Sequence, residues 1–388
     1  MILPYSKILF FACLSFILGI FLNSFLPISQ ILIWEIFILG FFYLIFFFKN
    51  KKVFVFVLCF LALGIGLFRA NVILPQEKVS QKESFFPAFK EKLEQNISTR
   101  VPFPESAFAL ALILGDQGRI PFSLKEKLSQ SGLRHITAVS GAHIVILTGA
   151  LVLLGSRLKL GRLRANWFGL IVIWLFLFLI GFRSSALRAV IMASSFLISD
   201  ILGRNKAIFR VLVLSATIML IFKPDLLRYD LGFQLSFLAV LGIAFFHSFF
   251  KQIFEKILQK RFSFFTSIIA MTFSAQLFTL PLLLYYFGST SLVSPITNLL
   301  VLPIIPYLMG ANFIFALFSL LLGPLVVVFV LPVWLLTKYL IFIVVFFANL
   351  PFASVALKIH WFWLFPSYFL LFTLAFLLQH HQRQKLLP

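Results

Sequence analysis

The chain has 388 residues, of which 61% are hydrophobic and only 12% are charged, and its formal net charge is +21. Soluble domains carry about 25% charged residues, so this composition excludes an ordinary soluble protein. Apolar runs at 31–48 and 168–180 reach or approach the roughly 20 residues that cross a bilayer. We therefore predict an all-α fold, a polytopic bundle of transmembrane helices with about 11 spans.

The positive charge is concentrated in short loops and tails that an alternating topology places on one side of the membrane. It includes Lys49, Lys51 and Lys52 after the second apolar run, and the basic loops 156–164 and 251–261. The positive-inside rule predicts this bias for cytoplasmic loops, so the basicity alone does not indicate a nucleic-acid ligand. The same rule predicts a multi-pass protein of the inner (cytoplasmic) membrane with its N-terminus in the cytoplasm.

Residues 1–74 are predicted to form an N-terminal membrane region of three spans, at 8–26, 30–48 and 53–74. The two cysteines, Cys13 and Cys59, lie in these spans and form no redox or metal motif, so we interpret them as packing residues. The next segment, 75–105, holds basic and acidic residues in equal number. Balanced charge is typical of a translocated segment, so we predict a short external loop that is too small for a domain of its own.

Residues 106–388 are predicted to form the second membrane region. It begins with an amphipathic helix over 121–132, which we expect at the membrane interface. Apolar segments follow at 133–154, 166–182, 184–202, 207–222 and 231–250. Beyond residue 262 prolines are expected to break helices and to produce broken or re-entrant spans, at Pro281, Pro295, Pro303 and Pro306.

Polar side chains interrupt the apolar segments of this region. They are His135, Ser140 and His143 in the first segment, Arg183 and Arg188 around the third, and Asp230 and Gln234 at the fifth. Ionisable groups in hydrocarbon are costly, so each is a hypothesis for a functional site. Together they suggest a polar path through the bundle.

The two histidines and Ser140 have several readings. His135 and His143 are eight positions apart, which on a helix is about 12 Å along the axis, so they cannot share a metal ion without help. Hydrogen-bonded positions in the bundle core, or positions that line a water-filled path, explain the two histidines better than metal ligation does. Ser140 lies one helical turn before His143, where a serine nucleophile and its base would be adjacent. Ser140 and its small neighbours also suit close contact between helices.

Arg188 has two readings that we weigh evenly. Its guanidinium is a forked donor suited to phosphate oxygens, or it pairs with an acid inside the membrane. Asp230 is the nearest candidate acid by topology. Gln234 and Asn298 are most simply explained by hydrogen bonds between helices.

We expect no catalytic site, metal or cofactor. No His and Asp cluster has the spacing of a binuclear metal site, so no nuclease is predicted. The chain lacks the G-x-x-x-x-G-K-[ST] pattern, so a partner or a gradient must drive any transport.

Several motifs in order resemble the ComEC DNA-internalisation proteins of bacterial competence, specifically their membrane competence domain. The resemblance covers about 103–310 and rests on Phe108 to Asp116, Ser131-Gly132-Leu133 with His135, Ala138 to His143, Ser184 to Ala189 with Met192, Asp230 with Gly232 to Ile243, Pro281, Tyr286-Phe287-Gly288, and Ser294-Pro295 with Asn298 to Leu300.

The resemblance implies a channel that passes single-stranded DNA into the cytoplasm during natural transformation. It implies as partners the bilayer, an external DNA receptor with pilus machinery, and a cytoplasmic helicase-like ATPase. The positions it suggests as lining or shaping the path are His135, Ser140, His143, Arg188, Asp230, Gln234 and Asn298. Phosphate contacts are suggested for Arg134, Arg183 and Arg188.

The chain also departs from the family pattern. Only 75–105 stands where full-length relatives have an external OB-like domain, and we expect no C-terminal nuclease domain before Pro388, so a separate nuclease would degrade the second strand. The alternatives are a transporter of another anionic substrate, an intramembrane enzyme using Ser140 or His143, and a structural scaffold. The oligomeric state is left open.

Overall fold

The computed structural model describes residues 5–47, 50–72, 87–137, 141–157, 159, 161–182, 184–203, 208–321 and 327–384. Within them the chain is almost wholly helical, which confirms the predicted all-α bundle. The first helices are α1 (Tyr5–Phe25), α2 (Gln30–Phe47), α3 (Lys51–Asn71), α4 (Pro87–Arg100), α5 (Glu105–Leu114) and α6 (Phe122–Gln130).

The middle of the chain contains α7 (Arg134–Thr137), α8 (Gly141–Arg157), α9 (Gly161–Ile180), α10 (Ser184–Ile201), α11 (Ile208–Phe222) and α12 (Leu226–Tyr229). The last part contains α13 (Leu231–Leu258), α14 (Ser263–Phe287), α15 (Ser294–Val301), α16 (Ile305–Leu321), α17 (Val327–Ala348) and α18 (Leu364–Gln384). Two three-residue strands, β1 (Ser289–Ser291) and β2 (Ser354–Ala356), pair antiparallel. They were not predicted, because such short strands carry no readable alternation.

The lengths and surfaces of these helices are those of a multi-pass membrane protein. Among the described residues seven helices are long and apolar enough to cross a bilayer, or eight if the bent pair α15–α16 counts as one span. Large apolar side chains point outwards, for example Ile31 at 73% and Phe56 at 70% exposure. Such a surface is stable against lipid and would aggregate in water. Four shorter apolar helices accompany these, so the count of about 11 spans stays a prediction.

A short buried helix organises the second membrane region. All ten residues of α5 are buried, and from Ala107 to Leu114 the helix is apolar on every side. It packs against α16 and α17 through two apolar clusters. One cluster includes Leu124 and Leu128 of α6, so the apolar face of α6 covers protein. The other includes Leu93 and Ile97 of α4.

The segment predicted as a short external loop, 75–105, contains helix α4 in its second half, and its external location stays a prediction. Leu93 and Ile97 of α4 and Val101 directly after it recur every four residues and are buried, so they form one apolar face. Lys90, Lys92 and Glu94 lie around them, so the average polarity of the segment did not indicate a buried helix face. The first half of the segment lies outside the described residues.

The predicted helix breaks are partly right. The span predicted at 133–154 contains two helices, α7 and α8, with residues 138–140 outside the described part. Pro295 begins α15, and α15 meets α16 at 47° around Pro303. The break at Pro281 was wrong, because Pro281 is buried inside the continuous helix α14. Packing against α13 holds α14 together despite the missing backbone donor.

Helices α1 and α3 approach closely through glycines. A Cβ at Gly66 would overlap the carbonyl oxygen of Phe16, and a Cβ at Gly19 would lie 3.2 Å from the Gly66 Cα. We expect Gly66→Ala to destabilise the protein by roughly 1–3 kcal/mol, because backbone on both sides resists the added methyl group. Thermal unfolding in detergent measures this. Gly149→Ala is the control, since nothing lies within 4 Å of its Cβ position; equal unfolding temperatures of the two variants would contradict the prediction.

Candidate functional site

Some of the predicted polar residues lie in two clusters with residues that were not predicted. The first, here the Arg188 cluster, joins α10 to the turn between α12 and α13 and comprises Arg188, Asp230, Gly232 and Gln234. The second, here the Gly132 cluster, joins the end of α6 to β1 and α15 and comprises Ser131, Gly132, Ser291, Ser294, Thr297 and Asn298.

Arg188 forms an ion pair inside the bundle. Its side chain is 8% exposed, and Nη1 donates to Oδ1 of Asp230 over 3.5 Å. The same carboxylate oxygen accepts a 2.8 Å hydrogen bond from the amide of Phe233. Asp230 thus caps α13, a role that aspartate fills well because its oxygen satisfies a free amide of the first turn. Of the two readings of Arg188, the structure has the pair with Asp230.

Gly232 makes room for this pair. A Cβ there would lie 2.8 Å from Nη2 of Arg188 and 3.0 Å from Oδ1 of Asp230. Any larger residue would push the guanidinium away from the carboxylate. The lack of a side chain at position 232 therefore leaves the space that the ion pair occupies.

Gln234 and Arg228 tie the Arg188 cluster to its surroundings. The amide of Gln234 donates to the carbonyls of Leu227 at 2.9 Å and Arg228 at 3.0 Å, so it closes the end of α12. The guanidinium of Arg228 lies 5.6 Å from the centre of the Phe25 ring and donates to the Ser24 carbonyl of α1. Arg228 was not among the predicted residues, because its position in a mixed loop looked like ordinary solvation.

The Gly132 cluster combines a contact between distant parts of the chain with one inside α15. Thr297 Oγ1 donates to the carbonyl of Ser131 over 2.7 Å, and Asn298 Nδ2 donates to Oγ of Ser294 over 3.2 Å. Gly132 has φ +77°, and a Cβ there would lie 2.5 Å from Cβ of Ser294. Asn298 is 5% exposed, so its amide acts inside the fold.

Gln276 of α14 extends this cluster, since its Nε2 donates to the carbonyl of Ser291 over 2.9 Å. Ser131, Ser291, Ser294 and Thr297 were not predicted as site residues. The only signal was that Ser131-Gly132 and Ser294-Pro295 both stood in the quoted motifs.

Two basic side chains lie next to the Gly132 cluster. Arg134 is exposed, and its Nη1 donates to Oγ of Ser129 over 3.3 Å. His135 has Nδ1 3.1 Å from the carbonyl of Gly132, a hydrogen bond when that nitrogen carries the proton. His135 is exposed to solvent.

The remaining candidates are less informative. His143 is 1% exposed near the start of α8, beside Ile144, which packs against apolar residues of α9 and α10. Ser140 and Arg183 lie outside the described residues, so the structure does not relate Ser140 to His143. Among the described residues no group of three or more His, Cys, Asp or Glu side chains is placed to hold a metal ion.

Comparison with known proteins adds three relatives. ComE operon protein 3 of Bacillus subtilis (strain 168) is 29% identical over 203 residues, which are 52% of this chain and 25% of the relative. An uncharacterized protein of Aquifex aeolicus (strain VF5) is 31% identical over 169 residues, 43% of this chain and 38% of the relative. The uncharacterized protein YcaI of Escherichia coli (strain K12) is 25% identical over 237 residues, 59% of this chain and 31% of the relative.

The chain thus matches between a quarter and two fifths of the length of these relatives. No solved structure matches it. The sequence model of a family described as competence protein matches residues 112–382, a range that contains both polar clusters. This match, with the first relative, confirms the resemblance seen in the motifs. The chain belongs to the competence protein family.

Proposed function

We propose that the chain forms a membrane passage through which single-stranded DNA reaches the cytoplasm during natural transformation. The observation that carries the proposal is the family match over 112–382. This range includes the Arg188 cluster, the Gly132 cluster, and the exposed basic residues Arg134 and His135 that precede α8. A polyanion crosses a low-dielectric barrier only along a wet path that offers donors to its phosphates.

The contacts of the candidate residues suggest two different roles for them. Arg188 is engaged with Asp230, and Gln234 and Asn298 are engaged with neighbouring groups. We assign these four residues to shaping the path, because the Arg188–Asp230 pair and Gln234 each join two helices or turns, and Asn298 bonds Ser294 within α15. Arg134 and His135 are both exposed, next to each other in α7. We assign first contact with the phosphates to these two residues, because a guanidinium matches phosphate oxygens in charge and geometry.

The membrane setting of the proposal follows from the alternation of basic loops. It supports a proposed arrangement with the N-terminus in the cytoplasm, the chain in the inner membrane and Arg134 on the external side. An external receptor and pilus would deliver duplex DNA, a cytoplasmic helicase-like ATPase would pull the strand, and a separate nuclease would remove its complement. We assign no catalytic step to the described residues.

Photo-crosslinking during uptake tests the proposal. A photoreactive amino acid replaces Arg134 or His135 in living cells that receive end-labelled duplex DNA. The control position is Ile38, whose side chain is 67% exposed on the apolar surface of α2. We expect labelled single strands attached at 134 and 135, severalfold above position 38. Normal uptake with equal labelling at all three positions would contradict the assigned route.

Removing the Arg134 guanidinium is expected to slow uptake. Loss of one charge-assisted contact worth about 1.5 kcal/mol corresponds to about a tenfold lower rate. We therefore expect about tenfold less internalised DNA in Arg134→Ala at equal surface binding, scored as nuclease-resistant label. Lys223→Ala is the matched control, an exposed cation assigned to the same face. If both variants take up DNA like the parent protein, Arg134 does not contact the strand.

A further inference from the structure

Helices α13 and α14 pack side by side as a hairpin that is longer than the core of a bilayer. The 28 residues of α13 correspond to about 42 Å and the 25 residues of α14 to about 38 Å, whereas the hydrocarbon core is about 30 Å thick. All charged residues of the hairpin lie near its closed end, from Lys251 to Arg261. The surplus length is therefore at that end, and we call residues 256–265 the hairpin tip.

Large apolar side chains are exposed on both sides of the turn in the hairpin tip. Ile257 is 69% exposed and Phe264 is 63% exposed, and Leu258, Phe262 and Phe265 are exposed as well. Because the tip lies beyond the hydrocarbon core, these side chains are not covered by acyl chains at the depth of the spans. A cluster of this kind is unfavourable in water and marks a surface that contacts something else.

Two cations lie among these apolar side chains. Lys256 and Arg261 are both exposed, and neither side chain is paired with a residue that the structure describes. The acid of the same hairpin, Glu255, has other partners. Its Oε1 lies 3.7 Å from Nζ of Lys251 and accepts a 2.8 Å hydrogen bond from Oγ of Ser263. The ammonium of Lys256 and the guanidinium of Arg261 are therefore available to an external anion.

We infer that the hairpin tip binds anionic phospholipids, with their phosphates on Lys256 and Arg261 and its apolar side chains among the headgroups. The headgroup layer of one leaflet is about 5–8 Å thick, so the surplus of about 12 Å in α13 carries the tip through it. Cations beside exposed apolar side chains are the pattern that binds an anionic membrane surface.

Other anions fit the hairpin tip less well. Free phosphate would leave the apolar side chains in water. A nucleic acid strand stacks its bases on rings, and Ile257 and Leu258 offer none. The inference depends on a membrane location and not on the substrate that crosses.

Photo-crosslinking to lipids in nanodiscs tests the inference. The full chain is placed in dioleoyl phosphatidylcholine with a trace of diazirine-labelled phosphatidylglycerol or of diazirine-labelled phosphatidylcholine. Mass spectrometry then measures the lipid attached to the peptide that contains residues 256–265. One cation at a membrane surface favours an anionic lipid about fivefold, so two cations predict about 25-fold more phosphatidylglycerol at the tip. The apolar surface of α2 around Ile38 should show no preference.

Double variants separate the charges from the apolar side chains. Lys256→Ala with Arg261→Ala should bring the ratio at the tip close to one. Lys92→Ala with Arg164→Ala removes one exposed lysine and one exposed arginine elsewhere and should keep the ratio. Ile257→Ser with Leu258→Ser should lower the labelling of the tip by both lipids. Unchanged labelling of α2 checks that each variant keeps its fold.

Equal labelling of the tip by the two lipids in the parent protein would overturn the inference. Equal ratios in the two double charge variants would overturn it too. Displacement of phosphatidylglycerol from the tip by inorganic phosphate or by a single-stranded oligonucleotide would contradict lipid binding and would make Lys256 and Arg261 plain phosphate contacts.

Discussion

Replacing Gly132 with alanine is expected to destabilise the protein by roughly 2–5 kcal/mol, the sum of a backbone cost and a steric cost. Gly132 has φ +77°, a conformation that costs other residues about 1–2 kcal/mol. In addition, the new Cβ would lie 2.5 Å from Cβ of Ser294 and 2.7 Å from its Oγ. The clash would separate the end of α6 from α15 and weaken the Gly132 cluster.

Gly161→Ala separates the two contributions. Gly161 has φ +74°, and nothing lies within 4 Å of its Cβ position. It should therefore show the backbone cost alone, about 1–2 kcal/mol. Unfolding of the two purified variants in the same detergent gives the difference. Equal stabilities would mean that Gly132 does not approach Ser294 as closely as the structure shows.

Removing either partner of the Arg188–Asp230 pair is expected to cost about 3 kcal/mol or more, because the remaining charge stays within the bundle unpaired. Asp230 is 24% exposed, so the low end of the range for buried pairs applies. Asp230→Asn keeps an oxygen to cap α13, and Arg188→Met keeps the length of the side chain. The double variant should lose clearly less than the sum of the two single variants.

The pair between Arg162 and Asp200 is the matched control for this prediction. Its shortest distance is 2.6 Å, closer than the 3.5 Å of the Arg188 pair, but the Arg162 side chain is 76% exposed. Asp200→Asn leaves the Arg162 guanidinium in solvent, so it should cost at most about 1 kcal/mol. An Asp200→Asn variant that loses as much stability as Asp230→Asn would show that burial of the remaining charge does not set the cost.

The helices were largely predictable because apolar runs of bilayer length leave few other structures. The prediction failed where tertiary packing decided. Helix α4 hides its buried residues Leu93 and Ile97 among charges, and α14 continues through Pro281 because α13 supports it. The four-residue spacing of Leu93 and Ile97 is a weak local signal, and the continuation through Pro281 has none.

The two polar clusters differed in how far they could be predicted. Asp230 was proposed as a partner of Arg188 because alternation brings the ends of their helices to the same side of the membrane. The Gly132 cluster could not be found in this way, because Ser131 and Thr297 are separated by 166 positions. Both segments, around Ser131-Gly132 and around Ser294-Pro295, contain motif residues. That the two segments are in contact is seen only in the folded structure.

The most direct test of the proposed passage is the fate of labelled DNA in cells that lack this chain. Duplex DNA labelled on one strand is bound to these cells, and nuclease-resistant single strands in the cytoplasm are counted against surface-bound label, with and without the complementing gene. We predict that cells without the chain bind DNA normally and contain almost no internal single strands, and that complementation restores them. Equal internal label in both strains would contradict a role in carrying DNA across the membrane.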